Sequence, residues 1–207
     1  MTNALPESLD VDLDAWDAWD PREAAQHLGE ISAPWYVAAG WALDLFLGRQ
    51  TRDHDDLELG VPEQRFGEVQ HALAGFELVV VGGGRAWPMT TSALATHHQT
   101  WVREPGGPWR VDVSREPWDA DRWTFRRDPR VQQPATSAVS RTADGIPYLR
   151  PEIVLLFKAK ALRPKDELDF ATVLPHLNSD RREWLRDALM LVNPGHAWVA
   201  RLSQTEP

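Results

Sequence analysis

One segment, residues 35–61, limits the possible folds more than any other part of the chain. An apolar run over Trp35–Ala39 ends at Gly40, and a helical pattern follows over Trp41–Leu47. Residues Asp56–Val61 then alternate, so their apolar and polar side chains lie on opposite faces of a predicted strand. A strand, a helix and a second strand in direct succession indicate a sheet of the α/β type.

The rest of the chain extends this sheet and then becomes helical. Pro21–Leu28 follows Asp20, a favourable N-cap, and is predicted to be a helix. The further predicted elements are a helix over Pro62–Ala74, a strand over Phe76–Val81, a hairpin of His98–Arg103 with Trp109–Arg115, and helices over 151–162, 165–174 and 180–192. The fold class is therefore α/β (α+β), with a mixed sheet and a C-terminal helical segment. We place the boundary near Tyr148, so that residues 1–147 form the core with a loosely ordered, acidic lead-in and residues 148–207 form a helical region.

Composition narrows the class of protein. The chain has 207 residues, enough for one domain or one domain with a small appendage. It has no cysteine, which excludes disulfides, thiolate metal sites and cysteine nucleophiles. No apolar run approaches the ~20 residues that span a bilayer. The acidic N-terminus does not have the pattern of a secretory signal, so we expect no membrane partner and a cytoplasmic location.

The net charge of the chain is −9. Such a protein repels phosphate backbones, which disfavours nucleic acid as a partner. It attracts cations, which include Mg²⁺ and amine-rich small molecules.

Two carboxylates in the alternating strand are the strongest candidates for a metal site. Asp56 and Glu58 are two residues apart on one face, with Cα atoms roughly 6.5–7 Å apart, and can converge on a hard divalent cation. Asp112 lies on the polar face of another predicted strand, whose opposite face carries Trp109, Val111 and Val113. The alternatives are a solvated strand face for the pair, and an ion pair with Arg110 or Arg115 for Asp112. Three carboxylates on adjacent strands would make a two-metal site that holds a triphosphate.

The segment around this pair resembles a known family. Residues 35–61 read WYVAAGWALDLFLGRQTRDHDDLELGV. This sequence is similar to the polymerase-β-type nucleotidyltransferase superfamily, and within it to the branch of aminoglycoside and lincosamide nucleotidyltransferases. That branch carries a Gly-Gly-Trp-Ala-Leu-Asp stretch, an Arg-x-Thr-Arg-x-His and an Asp-x-Asp/Glu on the following strand. The similarity continues more loosely through Trp109–Asp112, Arg126–Pro129, Pro151–Lys158 and Asp166–Phe170.

The resemblance implies a role for each carboxylate. Asp56 and Glu58 would be metal ligands, and Asp112 would be both a ligand and the general base. Gly40 would open a helix whose N-terminal amides face the triphosphate, in agreement with the affinity of helix N-termini for phosphate. The chain departs from the family at Ala39, where a glycine is usual, and at Glu58, where aspartate is commoner.

Three basic residues are further candidates for contacts with the nucleotide, which the resemblance assigns to the region of Ala39 and Gly40. Arg52 and His54 would lie near a phosphate or support the metal carboxylates; the alternative is a solvated loop in which arginines pair with neighbouring aspartates. Lys158 suits a triphosphate as a point charge, and the alternative is a solvated helix surface.

Asp166 and Asp169 are three residues apart, so they share a helix face. For these two aspartates, pairing with Arg163 and Lys165 is favoured over a place in an acceptor pocket.

The function that these residues favour is a Mg²⁺-dependent enzyme with ATP or another NTP as co-substrate. It would use two metal ions to move a nucleoside monophosphate, AMP from ATP, onto a hydroxyl of a small molecule such as an aminoglycoside-like antibiotic. One alternative keeps the chemistry and changes the acceptor to a protein or a tRNA end, as in toxin-like relatives. Another is a regulator that binds nucleotide and has lost catalysis, for which Ala39 and Glu58 are the only support.

Overall fold

The computed structural model describes residues 4–119 and 121–203, and contacts divide the chain into two units. Unit 1 comprises Met1–Val37 and Asp53–Asp119, and unit 2 comprises Ala38–Arg52 and Ala120–Pro207. The first residues of the predicted lead-in and the last four of the predicted helical region lie outside the described residues. Within the described part of the chain, no helix has the length and apolar character needed to cross a membrane.

Strands and helices alternate in the first part of the chain, and helices dominate the last. The strands are β1 (Tyr36–Val37), β2 (Glu58–Pro62), β3 (Glu77–Gly82), β4 (Arg85–Trp87), β5 (Gln99–Arg103), β6 (Trp109–Glu116), β7 (Arg122–Thr124), β8 (Gln132–Pro134), β9 (Val139–Arg141) and β10 (Pro147–Leu149). The helices are α1 (Pro21–Leu28), α2 (Ala39–Leu47), α3 (Phe66–Ala72), α4 (Thr91–Thr96), α5 (Ala135–Ala138), α6 (Pro151–Lys158), α7 (Pro164–Val173), α8 (Ser179–Val192) and α9 (Ala197–Leu202).

The sheet of unit 1 is mixed, as predicted. Its strand order is β4-β3-β5-β6-β2-β1. Strands β2 and β6 are parallel, whereas the other neighbouring pairs are antiparallel. The parallel register sets Glu58 beside Asp112. Side chains paired across neighbouring strands lie on one face of a sheet, so these two carboxylates share a face.

A β-bulge changes the position of Trp109. The register between β5 and β6 shifts at Val102 and Arg103, and the extra residue of a bulge turns a side chain to the other face. Trp109 consequently packs with Val79 and against Trp101, at 5.6 Å between ring centroids. Because Trp101 is paired with Asp112, the prediction that Trp109 lies opposite Asp112 is wrong.

The acidic lead-in contacts the sheet at several points, although its described residues have almost no regular secondary structure. Leu9 forms a backbone bridge with Ala86, and Trp16 forms one with Trp109. The Trp109 indole Nε1 donates to the backbone oxygen of Asp12 at 2.7 Å. Trp16 meets Trp101 edge-on, at 4.7 Å between centroids. The acidic segment therefore covers the same face of the sheet that carries the carboxylates.

Helix α1 has the predicted bounds because its N-cap is complete. The Asp20 carboxylate accepts from the backbone N–H groups of Arg22 and Glu23, and the Glu23 side chain accepts from the Asp20 N–H. This capping box satisfies donors that would otherwise have no intrahelical partner.

Helix α2, in unit 2, begins earlier than predicted. Gly40 does not break the chain; it is buried inside the first turn of a helix that starts at Ala39. Ala39 has φ +50°, in the left-handed region that glycine adopts without a steric penalty. The structure thereby explains why a glycine is usual at this position in the family that the sequence resembles.

Unit 2 is otherwise built around packed helices. Helix α6 packs against α7 and α8, and α2 packs against α6 and α7. Phe170 of α7 stacks on Trp198 of α9, with centroids 4.1 Å apart. The antiparallel pairs β7–β8 and β9–β10 complete the unit.

Ala39→Gly is expected to stabilise the protein. The substitution removes a left-handed penalty of about 1–2 kcal/mol, and the greater freedom of glycine in the unfolded chain offsets about 0.4–1 kcal/mol of this. Chemical denaturation should show a gain of about 0.5–1 kcal/mol in unfolding free energy. Ala171→Gly, in an exposed helical position of α7, is the matched control and should lose about 1 kcal/mol. A loss of stability in Ala39→Gly would show that this backbone conformation is not strained.

Candidate active site

The candidate carboxylates of unit 1 lie before and at the start of β2 and in the middle of its parallel neighbour β6. Glu58 is the first residue of β2 and is paired with Asp112 of β6. Asp56 lies two residues before the strand and is exposed, so the predicted strand begins too early. The backbone N–H of Asp112 donates to the oxygen of Leu57 at 2.9 Å. This hydrogen bond ties the segment between Asp56 and Glu58 to the strand that carries Asp112.

Asp112 is a buried carboxyl group with one oxygen held and the other unpartnered. Its residue exposure is 3%. Gln99 Nε2 of β5 donates a hydrogen bond to Oδ2, whereas Oδ1 is buried and has no hydrogen-bond partner. An unsatisfied buried acceptor costs about 1–3 kcal/mol, a cost that a ligand bound to Oδ1 would remove.

The electrostatics of Asp112 are set by its neighbours on the same face. Burial, followed by the negative charge of Glu58, raises the pKa of Asp112 to about 8. Hydrogen bonds from the side chains of Gln99 and Trp101 lower this pKa, and the charge of Asp56 raises it. Without a cation, Asp112 is therefore mostly protonated at neutral pH.

The two arginines that were the alternative partners of Asp112 bond elsewhere. Arg110 donates from Nε to Glu104 Oε2 at 2.8 Å and also pairs with Asp17. Arg115 donates to the hydroxyl of Thr100 and to the backbone oxygen of His97.

A divalent cation fits the chemistry of this cluster. Mg²⁺ prefers oxygen ligands. Asp112 has an oxygen, Oδ1, without a hydrogen-bond partner, and the negative charges of Glu58 and Asp56 act on its carboxyl group. As the side chains stand, no three Asp, Glu, His or Cys residues of the described chain are arranged to enclose a metal ion. The ligand set Asp56, Glu58 and Asp112 therefore stays a prediction, and it is taken up as a proposal below.

Unit 2 contains a separate buried network of charges. Lys158 Nζ lies 3.2 Å from Asp166 Oδ1 and 2.9 Å from Asp169 Oδ2, and only 8% of its side chain is exposed. Arg52 Nε donates to Asp169 Oδ1 at 3.1 Å, and Arg163 Nε donates to Asp166 Oδ2 at 2.8 Å. The solvated helix surface offered as an alternative for Lys158 is wrong. Pairing of Asp166 with Arg163 is confirmed, and Lys158 is a partner that the sequence did not indicate.

In this network, the basic partners lower the pKa of the two aspartates by more than burial raises it. Burial raises the pKa of Asp166, but hydrogen bonds from Arg163 and Lys158 bring it down to about 2. Burial likewise raises the pKa of Asp169, and the hydrogen bonds and charges of Arg52 and Lys158 lower it overall. Both aspartates are therefore ionised at neutral pH and balance the charges of Arg52 and Lys158.

The first turn of α2 lacks a side-chain cap. Its N-cap residue is Ala38, which offers no hydrogen-bond acceptor to the amides of the first turn. Ala39 and Gly40 lie at this end of the helix. In unit 1, His54 is half-buried and lies two residues before Asp56.

Sequence reasoning missed two polar residues. Gln99 bonds to Asp112, and Asp44 of α2 is buried and accepts from Thr51 N and Oγ1 at 3.1 and 2.5 Å. Gln99 lies on a strand adjacent to that of Asp112, so the hairpin pattern, read with its register, could have indicated it. Asp44 falls within the helical pattern, which gives no sign of its hydrogen bonds with Thr51.

Comparisons with known proteins identify relatives of this fold. Residues 22–113 match the model of a family described as aminoglycoside-2''-adenylyltransferase. Over 41 residues the chain is 46% identical to a 2''-aminoglycoside nucleotidyltransferase of Escherichia coli and equally to one of Klebsiella pneumoniae. These alignments cover 20% of this chain and 23% of the relatives' length, so they span about a quarter of those proteins.

Two solved structures share the fold. The antibiotic-resistance factor ANT(2'')-Ia superimposes with a TM-score of 0.55 and 19% identity, over 84% of this chain and 90% of that one. The lincosamide antibiotic adenylyltransferase LnuA, bound to lincomycin, gives a TM-score of 0.53 and 17% identity, over 75% and 94% of the two chains. The resemblance to this branch of nucleotidyltransferases is confirmed, and with it the mixed-sheet nucleotidyltransferase fold.

Asp112→Asn is expected to stabilise the metal-free protein at alkaline pH. In an unfolded chain an aspartate titrates near pH 3.9, whereas the folded pKa of Asp112 is about 8. Folding therefore takes up a proton in this window, and wild-type stability falls as the pH rises through it. Asparagine resembles the protonated form and escapes this loss.

The measurement is a series of thermal melts in a metal-chelating buffer. At about pH 4 the wild type and Asp112→Asn should melt within a few degrees of each other, and the variant should melt higher by pH 8. Asp10→Asn, at an exposed position, controls for the loss of one acidic group. Equal melting temperatures of the wild type and Asp112→Asn at pH 8 would contradict the raised pKa.

Proposed function

We propose that this chain, which has the nucleotidyltransferase fold, transfers a nucleoside monophosphate from an NTP to a hydroxyl group of a small molecule. We take ATP as the donor and a Mg²⁺-dependent reaction as the chemistry. The observation that carries the proposal is the parallel pairing that sets Glu58 beside a buried Asp112 with an unpartnered oxygen. A buried acid beside a second carboxylate is costly for folding, and such groups concentrate at functional sites.

In unit 1, Asp56, Glu58 and Asp112 would hold Mg²⁺, with two ions as in other enzymes of phosphoryl transfer. Mg²⁺, when bound, supplies positive charge that offsets the triphosphate and favours the ionised form of the carboxylates. Oδ1 of Asp112 is buried and has no hydrogen-bond partner, so it is the oxygen with an acceptor position still open to a ligand. This oxygen is the atom that we propose takes the proton of the acceptor hydroxyl.

The reaction balances in one step. The hydroxyl oxygen of the acceptor attacks the α-phosphorus in line, its proton passes to Asp112, and pyrophosphate leaves. The products are the nucleotidylated acceptor and pyrophosphate. The ionised form of Asp112 is needed for this step, so its high pKa in the absence of a cation favours coupling between ion binding and activity.

For unit 2, taken by itself, we propose contacts with phosphate. The amides at Ala39 and Gly40 lack a side-chain cap, and a helix N-terminus attracts anions. Arg52 and Lys158, which form ion pairs with Asp169, would supply hydrogen-bond donors to phosphate. In unit 1, His54 remains the proposed neighbour of the metal carboxylates.

An amine-bearing acceptor fits the charge of the chain. Its net charge of −9 favours cationic molecules. The relatives named above are an aminoglycoside nucleotidyltransferase and a lincosamide adenylyltransferase, which supports a cationic antibiotic as the acceptor. The acidic charge argues against tRNA as the acceptor. A catalytically inactive regulator is disfavoured, because a buried carboxyl group beside a second carboxylate is an arrangement that concentrates at functional sites.

The test is an assay of pyrophosphate release with Mg²⁺, each of the four NTPs and a panel of acceptors. We expect release with ATP and aminoglycosides or lincosamides, and none with a neutral polyol. Mass spectrometry should find the acceptor heavier by one nucleotidyl group. Nucleotide binding without release for any acceptor would favour the regulator, and transfer to protein or tRNA would favour the toxin-like alternative.

The variant Asp112→Asn distinguishes between two roles of Asp112, that of a metal ligand and that of the general base. If Asp112 takes the acceptor proton, turnover should fall by about 10²–10⁴-fold even at saturating Mg²⁺. ATP binding measured by calorimetry should largely survive, because Asp56 and Glu58 remain. Recovery of near-wild-type turnover by excess Mg²⁺ would show that Asp112 only holds metal, and full activity would exclude both roles.

A further inference from the structure

The surroundings of Asp112 contain a polar residue to which neither the family resemblance nor the proposed reaction gives a role. On β5, Trp101 is directly opposite Asp112, and Gln99 is opposite Ser114. Gln99 therefore approaches Asp112 along the diagonal of the antiparallel pair. Diagonal neighbours lie roughly 7–8 Å apart at the backbone, within reach of a long side chain. Gln99 spans this gap and donates from Nε2 to Asp112 Oδ2.

This hydrogen bond makes the two oxygens of Asp112 unequal. Oδ2 is occupied by the amide of Gln99, whereas Oδ1 is buried without a partner. A carboxylate that is held at one oxygen cannot rotate freely about its terminal bond. Oδ1 is consequently the oxygen that stays available to a cation or to a proton.

The chemical type of the donor also matters. An amide donates a hydrogen bond without carrying a charge. A lysine or arginine at residue 99 would form an ion pair with Asp112 and would make it a weaker base and a poorer cation ligand. Gln99 can orient the carboxylate while leaving its negative charge for the reaction.

The strand that carries Gln99 is itself held firmly. Trp101, two residues along β5, packs edge-on against Trp16 of the N-terminal segment at 4.7 Å and against Trp109 at 5.6 Å. Gln99 thus extends from a strand that is anchored by aromatic contacts on the same face. Residues that orient a metal ligand in this way affect the ligand strongly although they touch no metal.

We propose that Gln99 is a positioning residue for Asp112, which holds Oδ2 so that Oδ1 is presented to the divalent cation and to the acceptor hydroxyl. The inference rests on the function proposed above. It adds a residue that acts through Asp112 and contacts neither nucleotide nor acceptor.

The test replaces the amide without changing the length of the side chain. In Gln99→Met, the methionine side chain is unbranched and similar in size to glutamine, but it has no N–H donor. In the whole chain, Mn²⁺ binding measured by calorimetry should weaken by about 10-fold or more, and kcat should fall by about 10–100-fold. KM for ATP should change by less than roughly twofold, because Gln99 does not contact the nucleotide.

Two further variants make the result specific. Gln99→Asn keeps the amide but is one methylene too short to reach Oδ2, so it should show the same losses as Gln99→Met. Gln70→Met, on the exposed side of α3, should bind Mn²⁺ and turn over as the wild type does. Circular dichroism melts of each variant identify any that fail to fold, and the other Gln99 variant then carries the test.

The outcomes separate this inference from the proposed function. Wild-type Mn²⁺ affinity in Gln99→Met or Gln99→Asn would overturn the positioning role. So would a loss confined to KM for ATP with kcat unchanged. If the wild type released no pyrophosphate with any acceptor, the proposed function would fail, and the Mn²⁺ titrations would still decide whether Gln99 orients Asp112.

Discussion

The site depends on the parallel contact between β2 and β6. This pairing brings Glu58 beside Asp112 on one face of the sheet, and the face is closed enough that Asp112 is nearly inaccessible. Two like charges in a poorly solvated place repel each other, and the protein responds by keeping Asp112 protonated, with a pKa of about 8. A divalent cation would relieve both the repulsion and the unsatisfied oxygen. The feature that makes this part of the sheet unfavourable for folding is thus the one that suits it to bind a cation.

The remaining structure of unit 1 supports this unfavourable arrangement. Strand β5 supplies the hydrogen bond of Gln99 on one side of Asp112. The N-terminal segment lays Trp16 against Trp101 and Trp109 on the same face. Residues 22–113 match the family model, so this covering segment lies before the matched region. In unit 2, by contrast, the buried charges are already balanced: Lys158 and Arg52 satisfy Asp169, and Arg163 satisfies Asp166.

The sequence was sufficient for those features that depend on local pattern. The alternation around Glu58 and the capping residues of α1 predicted a strand and a helix because periodicity and capping act over a few residues. Alternation along their strands pointed to Glu58 and Asp112 for the same reason, whereas Asp56 lies outside β2, so that its place in the candidate site rests on the family resemblance.

Features that depend on distant contacts could not be predicted. The bulge that moves Trp109 arises from the register with β5, and no local signal in β6 indicates it. The N-terminal segment contacts tryptophans that are distant in the chain, and its acidic composition does not indicate these contacts. The left-handed conformation of Ala39 is visible only in the backbone, and the partners of Lys158 come from the next helix in the chain.

The most direct test of the account is diffraction at the manganese absorption edge, from crystals of the whole chain grown with Mn²⁺ and a non-hydrolysable ATP analogue. The account predicts anomalous density bonded to oxygens of Asp56, Glu58 and Asp112, with Asp112 contributing the oxygen that Gln99 leaves open. Anomalous density elsewhere, or nucleotide bound with no cation at these three carboxylates, would contradict it.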